Sequence, residues 1–321
     1  MLGTFSKIYD LTLKCALDLS SGAVIDFING LFGESLPLDS EVIRTATESV
    51  SADLGGHTFS DKMITIRSAE HSRRFHIEAE ITSDDKEIVL KVFDYGYKDA
   101  LKQHSSKAGN IILNFPQPKI IYLEHWSTAP DAVTLEINFW EQSKVNFTVP
   151  TMKFLDYSVK DLDEKRMVIL LPLYLLKLRR KVESARGKEA IRQYVPELKE
   201  LLNKEILGTL TKNVEKGNIT RRDAHILIKL LSLMYNHLYG AIEEFEEEKV
   251  KGMLAEKLVL ENEYEVLAAR EEVREEMRAQ LASEMLADGK DIVEIVKYSK
   301  LAYEDVLRLK ELALCESYPK H

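Results

Sequence analysis

Apolar and polar residues alternate along the stretch from Ser60 to Ile81. Its second half reads HIEAEI, which places His76, Glu78 and Glu80 on one face of a strand and the apolar residues on the other. The polar residues between its two alternating runs are a natural point for the chain to reverse, so the stretch predicts an antiparallel hairpin. In such a hairpin Asp61, which opens the first run, lies close to Glu78 or Glu80 on the same face. We therefore expect three carboxylates to converge on one small site.

The pattern on either side of this hairpin predicts a mixed α/β domain over residues 1–155. Apolar residues at helical spacing mark 5–19 and 23–32 before the hairpin and 85–103 after it, and Gly33 is predicted to end the second of these helices. The apolar face of that third helix is predicted to comprise Val89, Leu90, Phe93, Tyr97, Ala100 and Leu101. Short runs rich in β-branched and aromatic residues follow at 111–114, 119–124, 133–140 and 144–149. This order of elements fits a central sheet flanked by helices.

From about residue 156 the helical period replaces the strand period. It predicts a helical region over 156–245, with helices at 160–180, 189–204 and 222–245. A third region, 246–321, begins within a long charged helix of coiled-coil character predicted from 243 to 286. A short helical pair at 292–298 and 303–314 follows it. The predicted architecture is therefore an α/β domain followed by an all-helical C-terminal region.

Positive charge is concentrated in the middle of this acidic chain. The net charge is −9 overall, but residues 161–240 carry 16 Lys and Arg against 10 Asp and Glu. The densest basic cluster contains Lys177, Arg179, Arg180, Lys181, Arg186, Lys188 and Arg192. Such a cluster can hold phosphates even in an acidic protein, because salt screens the more distant charges. A solvated helix face explains the same residues equally well.

Cysteine content and hydropathy favour the reducing cytoplasm. Cys15 and Cys315 lie near opposite ends of the chain, so they form neither a disulfide framework nor a zinc-binding motif. The longest apolar run covers ten residues, Met167 to Leu176, and contains a proline. A bilayer span needs roughly 18 to 20 apolar residues, so we expect no membrane partner.

The three acids on the hairpin suggest a cation site. Carboxylates a few ångströms apart repel one another unless a cation lies between them. A hard divalent ion such as Mg²⁺ or Mn²⁺, bound through oxygen atoms, meets that need. The alternative is that these acids are the solvated face of a hairpin. We expect His76 not to be a ligand but to face solvent or pack on the hairpin, since magnesium prefers oxygen to imidazole.

Two longer motifs resemble a known family. The run HIEAEITSDDKEIVLKVFDYGYKDAL, preceded by SDK, and the later run LLPLYLLKLRR resemble the Rpn family of recombination-promoting nucleases and transposase-like proteins. That family belongs to the PD-(D/E)XK nuclease superfamily. The resemblance is strongest over 60–101 and 116–180, and it implies a restriction-endonuclease-like core that hydrolyses DNA with the help of a metal ion.

The resemblance also implies roles for individual residues. Asp61 and Glu78 correspond to the acids that bind magnesium on two neighbouring core strands, and the carbonyl group of Ala79 corresponds to a further ligand. Two residues after the second acid the superfamily usually has lysine, and this family often has glutamine. This chain has Glu80 there, which could act as a base or as an additional metal ligand. Lys91, on the following helix, is the preferred replacement cation, ahead of Lys62.

Residues nearer the N-terminus carry a weaker signal. Asp10 and Lys14 correspond to a D-x3-K helix of the family, and Glu48 corresponds to an acid on the first strand. A surface ion pair between Asp10 and Lys14, and an exposed strand position for Glu48, explain these residues equally well.

Two functions remain open from the sequence. The first is a Mg²⁺- or Mn²⁺-dependent DNA endonuclease of the recombination-promoting type, with DNA steered by the basic middle segment. The second is a catalytically degenerate member that acts as a DNA-binding or protein-interaction module, because Glu80 departs from the expected lysine. The C-terminal helices could then mediate self-association.

Overall fold

Two helices begin the chain, and capping residues mark both ends of the second. They are α1 (Leu2–Ala16) and α2 (Ser21–Phe32). The computed structural model describes residues 2–46, 62–69, 71–81, 87–107, 109–124, 129–140, 143–247, 252, 254, 278, 280–286, 288, 290–301 and 306. The side chain of Ser20 caps α2 by accepting a hydrogen bond from the amide of Ala23, 3.5 Å away. Gly33 ends α2 in the left-handed conformation, at φ 71°, as the sequence predicts.

A mixed six-stranded sheet forms the centre of the α/β part. Its strands are β1 (Glu41–Ala46), β2 (Lys62–Arg67), β3 (Ser72–Glu80), β6 (Gln117–Tyr122), β7 (Ala132–Asn138) and β8 (Lys144–Lys153), in the order β1-β2-β3-β6-β8-β7. A separate hairpin pairs β4 (Ser105–Lys107) with β5 (Asn110–Ile112). The strands β3, β6 and β8 run parallel to one another, and the outer strands are antiparallel to their neighbours. The α/β fold class predicted from the sequence is confirmed.

The predicted hairpin is confirmed as the antiparallel pair β2–β3. Its register joins Lys62 to Ile77 and Met63 to His76. Helix α3 (Ile88–Lys102) then crosses over to the parallel strand β6, as parallel pairing requires. The carboxyl ends of β3, β6 and β8 consequently meet at one edge of the sheet.

Alternation along the strands divides the apolar residues between the two faces of the sheet. Ile77 and Ile121 pack into the large core that α1 and α2 also enter. Ile120 and Tyr122 point to the opposite face, where they pack against Ile88 and other residues of α3. We call this second face the α3 face. Because helices cover both faces, the central strands are buried on each side.

The predicted apolar stripe of α3 is partly wrong. Leu90, Tyr97 and Leu101 are exposed. The face that meets the sheet is instead formed by Ile88, Val89, Val92, Tyr95, Gly96, Asp99 and Ala100. Ion pairs attach the helix to β3, from Arg74 to Asp99 and from Lys91 to Glu78 and Glu80. These long-range pairs help to set the rotation of the helix, which its apolar pattern does not specify.

The helical region begins after β8, and its first predicted helix is interrupted. Residues 160–180 were predicted as one helix, but α4 (Val159–Glu164) ends before Arg166, whose φ is 60°. A 3-10 helix, Val168–Leu175, follows and leads into α5 (Leu176–Ser184). The single-helix prediction is wrong because the left-handed backbone of Arg166 ends α4. Pro172 then disfavours an α-helix beyond it, since proline supplies no amide hydrogen. All eight residues of the 3-10 helix are buried.

Further helices complete the rest of this region. They are α6 (Lys188–Arg192), α7 (Val195–Glu200) with a π-helical turn at Leu201–Leu207, α8 (Gly208–Glu215), α9 (Arg221–Tyr239) and α10 (Glu243–Glu247). The large core contains residues of α1, β3, the 3-10 helix and α9 together. The side chain of Asp223, in α9, also accepts hydrogen bonds from the amide and the hydroxyl of Ser20, at 2.8 and 2.6 Å. The strand-bearing and helical regions therefore share one core.

Clustering of contacts divides the chain into two units, Met1–Leu258 and Val259–His321. In the second unit α11 (Ile292–Ser299) confirms the predicted helix at 292–298, and Asp291 caps its start. A small apolar cluster joins Ala282, Ile295 and Val306. Most of the long charged helix predicted from 243 to 286, and most of the second helix of the C-terminal pair, lie outside the described residues.

Candidate functional site

Two glutamates of the central strand β3 face α3 at the carboxyl end of the strand. Glu78 is only 4% exposed, whereas the side chain of Glu80 is 26% exposed. The alternative that these acids are the solvated face of a hairpin is wrong for Glu78, because α3 covers it. A buried carboxylate is costly unless a partner compensates its charge.

Lys91 of α3 supplies that partner. Its Nζ atom donates a hydrogen bond to Oε1 of Glu78 and lies 3.8 Å from Oε1 of Glu80. The lysine side chain is 31% exposed, so this group of three residues extends from the buried sheet to the surface. The structure thus brings together three of the four residues predicted to be catalytic. We call Glu78, Glu80 and Lys91 the carboxylate–lysine site.

The fourth predicted residue, Asp61, lies outside the described residues, as do Glu48 and the side chain of Lys62. Asp61 directly precedes Lys62, which pairs with Ile77, the residue before Glu78. The predicted ion pair near the N-terminus is confirmed, since Nζ of Lys14 lies 2.6 Å from Oδ2 of Asp10.

His76 is buried in the α3 face and is 1% exposed. Its ring meets the ring of Tyr95 edge to face, with the centroids 6.1 Å apart. Of the two placements expected for this residue, exposure to solvent is wrong. His76 packs between β3 and α3, two residues before Glu78 on the same face of the strand.

The donor atoms of the carboxylate–lysine site are of the type that a hard cation prefers. Two carboxylates share one cationic group, so this position favours positive charge. Magnesium and manganese prefer the oxygen donors that these side chains carry. Among the residues that the structure describes, no group of three or more His, Cys, Asp or Glu forms a metal-binding cluster. The predicted third acid, Asp61, is not among those residues.

Most of the predicted basic cluster is engaged by acidic side chains. Lys181 pairs with Glu197 at 2.9 Å, and Lys188 pairs with Glu243 at 2.6 Å. Arg192 pairs with Glu189 in the same helix. Lys177 instead donates to the hydroxyl of Tyr174 at 2.8 Å, and Arg186 is exposed. These pairs hold the helical region together and reduce the net positive charge that the sequence suggests.

Arg179 and Arg180 are different, because they reach the edge of the sheet. They bind the two oxygens of Glu124, which is 4% exposed and lies just beyond the end of β6. Arg179 also donates to the hydroxyl of Tyr9 at 3.2 Å. The sequence interpretation missed Glu124. Its position, an acid immediately after a buried run that ends a parallel strand, was the available signal.

The pKa values of the surrounding groups reflect this burial. Burial is the largest effect on Tyr9 and raises its pKa to about 12, although Arg179 acts in the opposite direction. Burial also lowers the pKa of His237, and the nearby charge of Arg179 adds to that effect. For Arg179, burial is outweighed by the bond to Glu183 and the charge of Glu124, so its pKa is raised.

An open cavity of about 410 Å³ lies at the end of β8. Asp131, Lys153 and Tyr157 are among its lining residues, and Lys153 pairs with Asp131 at 2.7 Å. Because none of the three residues of the carboxylate–lysine site lines this cavity, the two features are separate.

None of the helices in the described ranges combines the length and the apolar character needed to cross a bilayer. The chain matches no protein-family model, no curated protein and no solved structure.

Proposed function

We propose that the protein is a metal-dependent DNA endonuclease with a PD-(D/E)XK core, of the recombination-promoting, transposase-like type. The observation that carries this proposal is the contact of Lys91 with both Glu78 and Glu80 at the carboxyl end of β3. Open α/β sheets bind ligands outside the carboxyl ends of their parallel strands. An acid pair with a lysine at that edge fits phosphodiester hydrolysis better than it fits a purely structural role.

Each residue of the proposed site has a distinct part in this chemistry. Asp61, Glu78 and the carbonyl group of Ala79 would hold Mg²⁺ or Mn²⁺. When bound, such an ion lowers the pKa of a coordinated water and neutralises charge on the phosphate. Glu80, which is more exposed than Glu78, would accept the proton of the attacking water.

Lys91 would supply the positive charge that a lysine at position 80 supplies elsewhere in the superfamily. Its contact with Glu80 supports this exchange of roles, because the ammonium group lies close to the position from which the usual lysine is missing. An ammonium group there stabilises the negative charge that develops on the phosphate oxygens.

Plasmid nicking by the full chain in Mg²⁺ tests the proposal. Asp61→Asn and Glu78→Gln remove a charge with little change of shape, and each is expected to reduce nicking by at least about a hundredfold. Glu136→Gln, at an exposed position of the edge strand β7, is the matched control and should retain activity. Wild-type activity in both site variants would refute the assignment.

Glu80 itself favours a second function, a degenerate member that binds DNA or protein partners without cleaving. A third carboxylate increases repulsion where the superfamily carries a cation. Calorimetric titration with Mg²⁺ distinguishes the two functions, because the nuclease must bind the ion. A folded protein that takes up no Mg²⁺ at millimolar concentration would favour the interaction module, with the C-terminal helices as the surface for self-association.

A further inference from the structure

The pairing of β3 and β6 continues beyond the ends of both strands and brings the backbone of Glu124 to the carboxyl edge that also carries the carboxylate–lysine site. The amide of Leu123 donates to the carbonyl of Glu80 at 2.8 Å, and the amide of Glu124 donates to the carbonyl of Ile81 at 2.7 Å. The sheet therefore holds the backbone of Glu124 next to the residue that follows Glu80. The side chain of Glu124 meets Arg179, which also donates to Tyr9 of the large core, on the side of the sheet that α1 covers.

Glu124 holds two arginines in different environments. Its Oε1 atom accepts from Nη1 of Arg179 at 3.0 Å, and its Oε2 atom accepts from Nε of Arg180 at 3.1 Å. The side chain of Arg179 is 16% exposed, whereas that of Arg180 is 41% exposed. Arg180 is thus anchored through Nε while a large part of its side chain meets solvent at the carboxyl edge of the sheet.

Anchoring by Glu124 makes Arg180 suited to an anion. One buried carboxylate faces two guanidinium groups, and the more exposed of the two belongs to Arg180. A planar guanidinium matches the oxygen atoms of a phosphate, and anchoring it in advance lowers the entropic cost of binding.

We infer that Arg180 contacts a backbone phosphate of bound DNA at this edge and that Glu124 is the residue that positions it. The inference rests on the proposed function for the identity of the partner, but it does not require cleavage. The bond to Glu124 at the edge of the sheet also distinguishes Arg180 from the lysines of the predicted basic cluster. Lys181 and Lys188 form their ion pairs within the helical region, with Glu197 and Glu243.

Binding of the full chain to a short labelled DNA duplex without divalent ions, at several salt concentrations, tests the contact. Arg180→Gln is expected to weaken binding about tenfold, the effect of losing one charge-assisted hydrogen bond. It should also reduce the slope of log affinity against log salt by about one, since one phosphate contact is lost. Lys144→Gln removes the same kind of charge from an exposed lysine at the amino end of β8, so it is the matched control and should bind like the wild type.

Three results would overturn the contact: unchanged binding by Arg180→Gln, an equal loss in Lys144→Gln, or no binding by the wild type. Nicking provides a separate readout. If the wild type cleaves no plasmid but binding still depends on Arg180, the proposed nuclease function fails and this inference stands. If Asp61→Asn and Glu78→Gln abolish nicking while Arg180→Gln binds normally, the proposed nuclease function stands and the inference about Arg180 fails.

A double-mutant cycle tests the positioning role of Glu124. Glu124→Asp keeps the charge but shortens the side chain, so it should displace Arg180 and weaken DNA binding. In the Arg180→Gln background the same change should cost no further affinity. Additive losses would show that Glu124 acts independently of Arg180, and a purely structural role would not produce the predicted coupling.

Discussion

Lys91 illustrates how much of the candidate site depends on single residues. The sequence offers it as a replacement for the missing lysine at position 80, because it is near in the chain and because alternation turns Lys62 to the face opposite Asp61. In the folded protein its ammonium group contacts Glu78 and Glu80 together, because the first turn of α3 lies over β3. Replacing it would leave a buried carboxylate next to a second one, so we expect Lys91 to support stability as well as chemistry.

The buried environment of Tyr9 can be tested by measuring the stability of the protein at different pH values. Its pKa is raised to about 12 from the ordinary 10, mainly by burial. A raised pKa means that the folded state retains the proton, so the stabilisation is complete below pH 10 and is lost as pH rises towards 12. Tyr9 alone should lower the free energy of unfolding by up to about 3 kcal/mol across that interval.

Tyr9→Phe is therefore expected to make the protein less sensitive to alkali, as measured by urea unfolding at pH 8, 10 and 11.5. Some sensitivity should remain, because burial also raises the pKa of Tyr239. Tyr97→Phe removes a hydroxyl from an exposed residue and serves as control. If Tyr9→Phe loses stability between pH 10 and 12 as steeply as the wild type, the inferred environment of Tyr9 is wrong.

At the scale of elements, α2 shows how one helix is fixed against the rest of the fold. A Cβ atom at Gly30 would lie 2.0 Å from the carbonyl oxygen of Lys165 and 2.7 Å from Cγ of Met167. The helix therefore packs directly on the turn that ends α4. At Gly22, in the first turn of the same helix, a Cβ atom would meet nothing within 4 Å.

These two glycines give opposite predictions. Gly30→Ala should destabilise the protein by about 3 kcal/mol, because backbone and side chain would both have to shift. Gly22→Ala should stabilise it by up to about 1 kcal/mol, since alanine has the higher helix propensity. Chemical denaturation measures both changes. Equal effects of the two substitutions would contradict the close packing of α2 on the α4 turn.

At the scale of the whole molecule, the strand-bearing and helical regions depend on one another. The large core includes Phe75 of β3, Leu170 of the 3-10 helix and Leu231 of α9. Asp223 of α9 is bonded to Ser20, more than 200 positions earlier in the sequence. The boundary predicted near residue 155 therefore separates types of secondary structure that share a hydrophobic core.

A chain truncated after residue 155 is expected not to fold, because the apolar faces of α1 and α2 would lose the helices that cover them. A chain of residues 1–258 is the matched control and should unfold in a single cooperative transition. Amide chemical-shift dispersion and urea unfolding distinguish these outcomes. Cooperative unfolding of the 1–155 chain would show that the strand-bearing region has a sufficient core of its own.

The sequence alone determined the features that depend on local period. Strict alternation from Phe75 to Ile81 predicted β3 and the common face of Glu78 and Glu80, because successive strand residues point to opposite sides. Gly33 predicted where α2 ends. Strand runs separated by helical spacing predicted the α/β class. The position of Asp61 beside these acids stays a prediction.

Only the tertiary structure decided the features that depend on contacts between distant residues. It buried Glu78 and His76 beneath α3, brought Lys91 to the two glutamates, and joined Glu124 to Arg179 and Arg180. It also paired Lys181 with Glu197 and Lys188 with Glu243, contacts that no helical spacing indicates. The physical reason is that a repeat of two or 3.6 residues fixes which side chains share a face, whereas the rotation and packing of elements decide what that face meets.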